Sequence, residues 1–214
     1  MTPTPTPMPE AATPMAARAP QQERGQRRVE QILDAAETVF AEVGVEGASM
    51  QAIADRAGSS VGSLYHFFPN KDAIVEALGV RYSELVSRTN EEAMPLELAH
   101  IPAEELFERV LSAQLRFVLG TPAFPAVQEA VMRHCPAVKD TMNSALVGHV
   151  TKFLALRYPR STPAERQVSA MVSVATVHAQ MQLACRLEPA VRDAAIAEAK
   201  RMLVAHFSAY DARR

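Results

Sequence analysis

The amino-acid sequence predicts an all-α protein of about nine helices. Apolar residues recur at intervals of three and four along most of the chain, and this is the period of one helix face. Glycine is scarce, with 8 in 214 residues, while Ala, Leu, Glu, Arg, Val and Met, which favour helix over strand, are frequent. Prolines and glycines mark the breaks between the periodic stretches.

The N-terminal residues 1–23 predict a disordered tail. Six prolines fall among the first twenty residues, and alternating Thr and Pro favour extended, solvated backbone. No apolar stretch follows that would indicate a signal peptide or a membrane anchor. Arginines at 18, 24, 27 and 28 then give a short basic arm.

The first helix begins near Val29 and ends at Gly44, because a glycine can adopt the left-handed conformation that closes a helix. Ser49 is an N-cap candidate for a second helix over 49–57, which Gly58 terminates. Ser59 or Ser60 then caps a third helix, and "PNKD" turns the chain into a fourth helix near Lys71. A helix, a short glycine-containing turn and a helix form the helix-turn-helix arrangement.

Residues 58–62, "GSSVG", also match the G-x-S-x-G pattern of serine hydrolases. In those enzymes a buried strand runs directly into the nucleophilic serine. Residues 49–57 instead have a helical period, with Asp55 and Arg56 on the outer face. A hydrolase that uses Ser60 as its nucleophile is therefore an alternative that lacks the expected context.

The stretch "SMQAIADRAGSSVGSLYHFFPNKDAI" resembles the DNA-binding region of the TetR/AcrR family of bacterial transcriptional regulators. The resemblance extends from Val29 to about Ala77, and Ser59 stands where the family pattern commonly has Val. It implies a three-helix DNA-binding unit with residues 60–66 as the recognition helix. We therefore expect three parts: a tail over 1–23, a DNA-binding domain over 24–70, and a helical ligand-binding and dimerisation domain over 71–214.

The resemblance also implies the DNA contacts. Ser49 and Lys71 would hold phosphates, and the arginines of the basic arm would reach along the DNA. The full set of expected DNA-binding residues is Arg24, Arg27, Arg28, Ser49, Ser59, Ser60, Val61, Gly62, Ser63, Tyr65, His66 and Lys71. Residues 1–90 carry 8 Lys or Arg against 11 Asp or Glu, which predicts weak and salt-sensitive non-specific affinity.

Beyond residue 90 the prolines and one Gly-Thr-Pro sequence divide the chain into further helices. These are expected near 102–119, 123–133, 136–157, 163–187 and 189–211. The last two carry apolar stripes that could face a second copy of the chain or bury against their own chain. The stripes comprise Ala170, Ser173, Val174, Val177, Met181 and Ala184, then Ile196, Ala199, Leu203, Phe207 and Tyr210.

The resemblance places a ligand chamber in the central helices and a dimer interface in residues 163–211. Aromatic and methionine side chains there favour a mostly apolar cavity, because methionine adapts to irregular shapes. His149 and His178 lie on otherwise apolar faces, where a hydrogen-bonded core role competes with ligand contact. The expected ligand-binding residues are Phe107, Leu111, Phe117, Phe124, Met132, Met142, His149, Phe153, Met171 and His178.

Other chemistry has little support in the sequence. His134 and Cys135 are adjacent, but no further ligands have zinc-like spacing, and no cofactor motif occurs. Cys135 and Cys185 lack C-x-x-C spacing, which favours free thiols in the cytoplasm. The resemblance thus implies a non-enzymatic, homodimeric repressor that a small apolar or aromatic ligand releases from a palindromic operator in double-stranded DNA. A helical carrier of hydrophobic ligands without DNA binding is the alternative.

Overall fold

A computed structural model describes residues 19–211 of the chain. Within these residues the protein is all-α, as predicted, with nine α-helices and one short 3-10 turn over Leu96–Leu98. The helices are α1 Ala19–Gly47, α2 Met50–Arg56, α3 Val61–Phe67, α4 Lys71–Ala93, α5 Ala103–Gly120, α6 Phe124–His134, α7 Pro136–Arg157, α8 Pro163–Ala184 and α9 Pro189–Asp211.

Helix α1 begins earlier than the sequence suggested. It starts at Ala19, so the prediction of a disordered tail is wrong for residues 19–23, and residues 1–18 lie outside the described residues. The helical backbone breaks at Gly44, which adopts φ 72° and ψ 169°. A side chain at that position would be strained, so the predicted helix end at Gly44 has a steric cause.

Helices α2 and α3 form the predicted helix-turn-helix. The Ser49 hydroxyl accepts a hydrogen bond from the Ala52 amide, and the Ser60 hydroxyl accepts one from the Ser63 amide. Gly58 closes α2 with a φ of 57° and turns the chain toward α3. Side-chain caps of this kind stabilise a helix by about 1 kcal/mol each, and they let two seven-residue helices persist.

Helix α4 lies at the centre of the fold. It packs against α1 on one side and against α5, α6 and α7 on the other. One continuous cluster of buried apolar residues runs from α1 to α9, so the core has no gap at residue 70. The division into domains at residue 70 stays a prediction.

The apolar stripes of α8 and α9 face their own chain. Ala170, Met181 and Ala184 of α8 are buried, as are Ala199, Leu203 and Phe207 of α9. The side chain of Tyr210 lies outside the described part. Of the two interpretations of these stripes, burial within the chain is the one that the structure supports.

A buried arginine joins the end of α7 to α9. The Arg157 guanidinium is 3% exposed and donates hydrogen bonds to the carbonyls of Ala99 and Ile101 at 3.1 and 2.7 Å. It also pairs with the Asp211 carboxylate at 2.6 Å. Because every one of these acceptors is fixed in the fold, the charge is compensated despite its burial.

By length and apolar composition, no single helix among residues 19–211 qualifies to span a membrane. The pair α5 and α6 qualifies when taken together, but the two helices are bent by 94° at their junction.

The close packing of α4 against α6 and α7 at Gly79 predicts how a substitution there changes the free energy of unfolding. A Cβ atom on Gly79 would lie 2.7 Å from a Val131 methyl group of α6 and 3.0 Å from one of Val138 in α7. We expect Gly79→Ala to lower the free energy of unfolding by about 1–3 kcal/mol, because the packed core must shift. Urea denaturation followed by circular dichroism measures this change.

Gly148→Ala is the matched control. Gly148 lies within α7, and a Cβ atom added there would have no neighbouring side chain within 4 Å. The same substitution there should stabilise the protein by about 0.5–1 kcal/mol through helix propensity. Equal effects at both glycines would contradict the steric account.

Candidate DNA-binding face and ligand cavity

Helix α3 carries five of the twelve predicted DNA-binding residues and presents three of them to solvent. Its buried side is formed by Leu64, while Tyr65 is 51% exposed and His66 and Gly62 are also exposed. Val61 and Ser63 are partly buried, as is Ser59 in the preceding turn. The outer face of α3 is therefore free to enter a groove that admits one helix.

The two predicted N-cap serines serve the backbone. The hydroxyls of Ser49 and Ser60 each accept an amide hydrogen at the start of a helix, at 3.1 and 3.2 Å. Helix α2, not a strand, precedes Ser60. The context that the hydrolase alternative requires around Ser60 is therefore missing from this part of the described chain.

Arg24, Arg27 and Arg28 of the expected basic arm lie within helix α1, where they are not disordered, and their contacts with DNA stay a prediction. Arg24 and Arg27 are exposed, and Arg27 lies 3.7 Å from Glu23. Arg28 donates to the carbonyls of Ala57 and Gly58 at 3.4 Å, which holds the start of α1 beside the turn before α3.

Lys71 has contacts that the sequence did not suggest. Its amino group donates to the carbonyls of Val45, Glu46 and Ala48 at 2.6, 3.3 and 3.1 Å. These carbonyls belong to the end of α1 and the loop before α2. Lys71 thus ties the start of α4 to that loop, and its expected phosphate contact stays a prediction.

Two further ion-pair groups bind α1 to its neighbours, and sequence reasoning missed both. Arg56 of α2 makes two hydrogen bonds to the Glu42 carboxylate, at 2.9 and 2.8 Å, and this contact lowers the pKa of Glu42. Arg81 of α4 contacts three carboxylates of α1, those of Glu30, Asp34 and Glu37. Glu30, Asp34 and Glu37 are spaced i, i+4 and i+7 in the sequence, which places the three carboxylates on one face of α1. This spacing was the signal from which the ion-pair group could have been predicted.

Helices α4 to α9 line a mostly apolar, partly open cavity of about 100 Å³. Its wall comprises Val86, Asn90, Met94, Leu106, Phe107, Val110, Gln114, Val118, Phe124, Pro125, Gln128, Leu146, Val150, Phe153, Leu154, Ser173, Val174, Val177, His178, Met181, Gln182, Cys185 and Phe207. A concave apolar space with few polar groups is typical of a small-molecule site.

Four of the ten expected ligand-binding residues line this cavity: Phe107, Phe124, Phe153 and His178. The other six lie outside its wall. Leu111 is fully buried in the core, Met142 packs against the core from its edge, and Met132 is partly buried. Met171 projects from α8 and is 53% exposed.

Phe117 and His149, the last two of these six residues, make contacts with other parts of the chain. Phe117 packs edge to face on Phe124, with ring centroids 4.9 Å apart, and so lies behind the wall. The Nε2 atom of His149 lies 2.9 Å from the carbonyl oxygen of Met94. His149 therefore has the hydrogen-bonded structural role that competed with ligand contact in its prediction.

Polar side chains cluster around His178 in the cavity wall. Its Nδ1 lies 3.4 Å from the Gln128 amide and its Nε2 lies 3.0 Å from the Gln182 amide. A glutamine amide can donate or accept, so either neutral tautomer of the ring finds a partner. Burial lowers the pKa of His178, which favours the neutral ring.

Sequence reasoning missed the amides of the wall, Asn90, Gln114 and Gln128, all of which are buried. Gln114 continues the apolar stripe of α5, seven residues after Phe107 and four before Val118. A polar residue at a core position of an amphipathic helix was therefore the signal that could have found it.

A metal centre has no support among residues 19–211, where no three His, Cys, Asp or Glu side chains come together in a metal-binding arrangement. Cys135 and Cys185 are free thiols, and burial raises the pKa of each.

The outer side of α8 and α9 is an exposed apolar face. From Arg166 to Arg186 the sequence of α8 carries no charged residue between the two arginines. Large apolar side chains on this α8–α9 face are about half exposed or more: Val168, Met171, Val172, Leu183, Val191 and Met202. Apolar patches of this kind mark interaction surfaces.

Two protein-family models match the chain. The model of bacterial regulatory proteins of the TetR family matches residues 32–78, and the model of the tetracycline repressor-like C-terminal domain matches residues 102–206. Together they cover more than half of the chain. The protein belongs to the TetR family of bacterial regulatory proteins.

A curated relative and two solved structures show what the chain is similar to. It is 38% identical over 73 residues to the HTH-type transcriptional repressor KstR of Mycobacterium tuberculosis, a match that covers 34% of this chain and 33% of KstR. The chain thus matches about one third of the length of that relative. A TetR-family regulator from Streptomyces coelicolor is 26% identical with a TM-score of 0.62, covering 85% of this chain and 98% of that one.

The second solved structure is the regulator FadR of Bacillus subtilis in complex with stearoyl-CoA. It is 19% identical, has a TM-score of 0.61, and the match covers 82% of this chain and 97% of FadR. At this identity the likeness supports the fold alone.

The environment of His178 predicts a pH dependence of stability. Because burial lowers the folded-state pKa of His178 below 6.5, the unfolded chain takes up this proton first as the pH falls. Wild type should lose stability relative to His178→Gln between pH 7.5 and 5.5. Urea denaturation at several pH values measures the difference, and a difference independent of pH would contradict a buried neutral ring.

Proposed function

We propose that this protein is a homodimeric transcriptional repressor that releases a palindromic operator when a small, mostly apolar ligand occupies the cavity. The observation that carries the proposal is that α4 begins at the helix-turn-helix and ends in the cavity wall. Residues Val86 and Asn90 of this one helix line the cavity, while Lys71 at its start holds the loop before α2. Ligand and DNA would therefore act on the same rigid element.

The exposed face of α3 would read the operator. Tyr65 and His66 project from it and have both apolar and polar contact groups for base edges. Arg24 and Arg27 on α1 are exposed close to the same turn and would contact phosphates. Because the region carries more acidic than basic residues, binding would depend on specific contacts more than on general charge attraction.

Ring contacts connect the cavity to α4. Phe124 of the wall packs edge to face on Tyr82 of α4, with ring centroids 5.4 Å apart. The neighbouring Arg81 holds three carboxylates of α1. A ligand that displaces Phe124 would thus shift α4, and α4 would carry α1 with it. The ligand acts only to the extent that it prefers the shifted arrangement.

The α8–α9 face would form the dimer interface, and a second copy of the chain is the proposed occupant. A two-fold dimer matches the symmetry of a palindromic operator and lets both recognition helices bind at once. The surface that fits this role is the outer side of both helices, opposite the stripes that bury within the chain.

The comparisons support this proposal at the level of class. KstR is named a transcriptional repressor and matches the chain in the DNA-binding region. FadR of Bacillus subtilis, which has the same fold, was solved with stearoyl-CoA, a molecule with a long apolar chain. A carrier without DNA binding would keep the cavity but would not bind a defined duplex.

Operator binding tests the proposed DNA face. We expect a discrete gel-shift complex, resistant to competitor DNA at about 100 mM salt, with the DNA upstream of the gene or with duplexes selected from a random pool. Tyr65→Ala should weaken that complex about tenfold or more, because it removes a contact at the centre of α3. Helical content and dimer mass should stay unchanged, since Tyr65 lies outside the core.

A pair of arginine variants separates phosphate contact from general charge. Arg27→Ala should weaken binding and reduce the slope of log affinity against log salt by about 0.9, the value for one phosphate contact. Arg116→Ala on α5 removes an equally exposed charge far along the chain and should leave the slope unchanged. If neither source yields a duplex that the protein binds specifically, this result would contradict the repressor function and favour the carrier.

A charge on the α8–α9 face should separate the dimer. Met171→Glu is expected to give a monomer in analytical ultracentrifugation at micromolar concentration, because it buries a carboxylate on α8, which carries no cation between Arg166 and Arg186. Val43→Glu is the control, since Val43 is about equally exposed but lies on α1. A dimer that survives Met171→Glu, or one that Val43→Glu disrupts, would place the interface elsewhere.

A further inference from the structure

One amide in the cavity wall has no partner in the protein. Gln114 of α5 is 8% exposed, lines the cavity, and makes no hydrogen bond to any of the described residues. Its buried neighbours behave differently: the Asn90 amide donates to the Val86 carbonyl at 2.7 Å, and the Gln128 amide lies beside His178. Gln114 is therefore the buried amide of the wall whose hydrogen-bonding groups remain available, and the Ser173 hydroxyl of α8 also lines the cavity.

The Gln114 amide opens onto the cavity, because its atoms are not among the fully buried, unpartnered side-chain atoms of the described residues. Burying an amide without hydrogen bonds is unfavourable, and nearly all buried polar groups in proteins have a partner. The wall around Gln114 is largely aliphatic and aromatic. Its partner must then come from whatever fills the cavity, and an amide pairs with a hydroxyl or a carbonyl group.

The charge of the wall restricts the ligand further. Of the side chains that line the cavity within the described residues, none is Asp, Glu, Lys or Arg. An ionised group would lose its hydration there without gaining an opposite charge. His178 is not a fixed opposite charge, because its ring is partly buried and contacts two neutral glutamine amides, and burial lowers its pKa.

We infer that the cavity selects an uncharged ligand with an apolar body and a hydroxyl or carbonyl group that hydrogen-bonds to the Gln114 amide, and that it rejects carboxylates of the same shape. This inference rests on the proposed function, because it names the chemistry of the effector. His178, with Gln128 and Gln182, is a second polar position that would orient a ligand reaching α8.

The size of the cavity sets the scale of the probes. It offers about 100 Å³ in this structure, somewhat less than the roughly 150 Å³ of an engineered cavity that holds benzene. A one-ring molecule is therefore near the limit without movement of the wall. A two-ring molecule would have to displace helices of the wall. Such a displacement is what the proposed function requires of a ligand that releases the operator.

The test compares compounds matched in shape but not in charge. The probes are toluene, benzyl alcohol and benzoate, then naphthalene, 2-naphthol and 2-naphthoate, each titrated into the full-length protein at pH 7.5 in a calorimeter. We expect each alcohol or phenol to bind at least tenfold more tightly than its carboxylate. We also expect benzyl alcohol to bind wild type more tightly than toluene does, and 2-naphthol more tightly than naphthalene.

Gln114→Met tests the assigned amide. Methionine has a similar length and no hydrogen-bonding amide, so the advantage of 2-naphthol over naphthalene should fall about tenfold while naphthalene binds as before. Gln26→Met is the matched control, because Gln26 is exposed on α1 and away from the cavity. It should leave all affinities unchanged.

The outcomes separate this inference from the proposed function. Carboxylates that bind as tightly as the neutral compounds would overturn the inference and leave a ligand-responsive repressor intact. A preference for 2-naphthol that survives Gln114→Met would overturn the role of Gln114. If no probe binds up to millimolar concentration, the inference fails, and operator binding by the same preparation decides whether the DNA-binding function stands.

Discussion

The attachment of α4 to α1 is the constraint on which the rest of the structure depends. Arg81 contacts three carboxylates of α1, and Gly79, two residues earlier on α4, allows an approach to α6 and α7 that a Cβ atom would prevent. Helix α4 is therefore held from both sides along its first half. Its second half forms cavity wall, so a change in the cavity has a rigid path to the helix-turn-helix.

The polar groups of the structure divide into those that hold the fold and those that remain available. Arg28, Lys71 and Arg157 all donate hydrogen bonds to backbone carbonyls of other segments of the chain. Tyr65 on α3 is exposed, and Gln114 in the cavity is buried without a partner. Tyr65 lies on the surface proposed to bind the operator, and Gln114 lies in the cavity proposed to bind the ligand.

Local signals predicted the fold well because they act at short range. Capping serines, Gly44, Gly58 and the prolines gave the helices and most of their ends, since each acts on its own few residues. The cavity was predicted less well, because a stripe such as the one in α8 can face its own chain or a partner, and only packing decides. Met171 and Ser173 show this: two residues apart, one is exposed and the other lines the cavity.

The central claim is that filling the cavity changes the DNA-binding face through α4. The most direct test is the operator affinity of Ser173→Phe, which adds a ring to the cavity wall and changes no residue of α1 to α4. The account predicts a loss of affinity of at least tenfold while the variant stays folded and dimeric. An unchanged affinity in a folded dimer would contradict it.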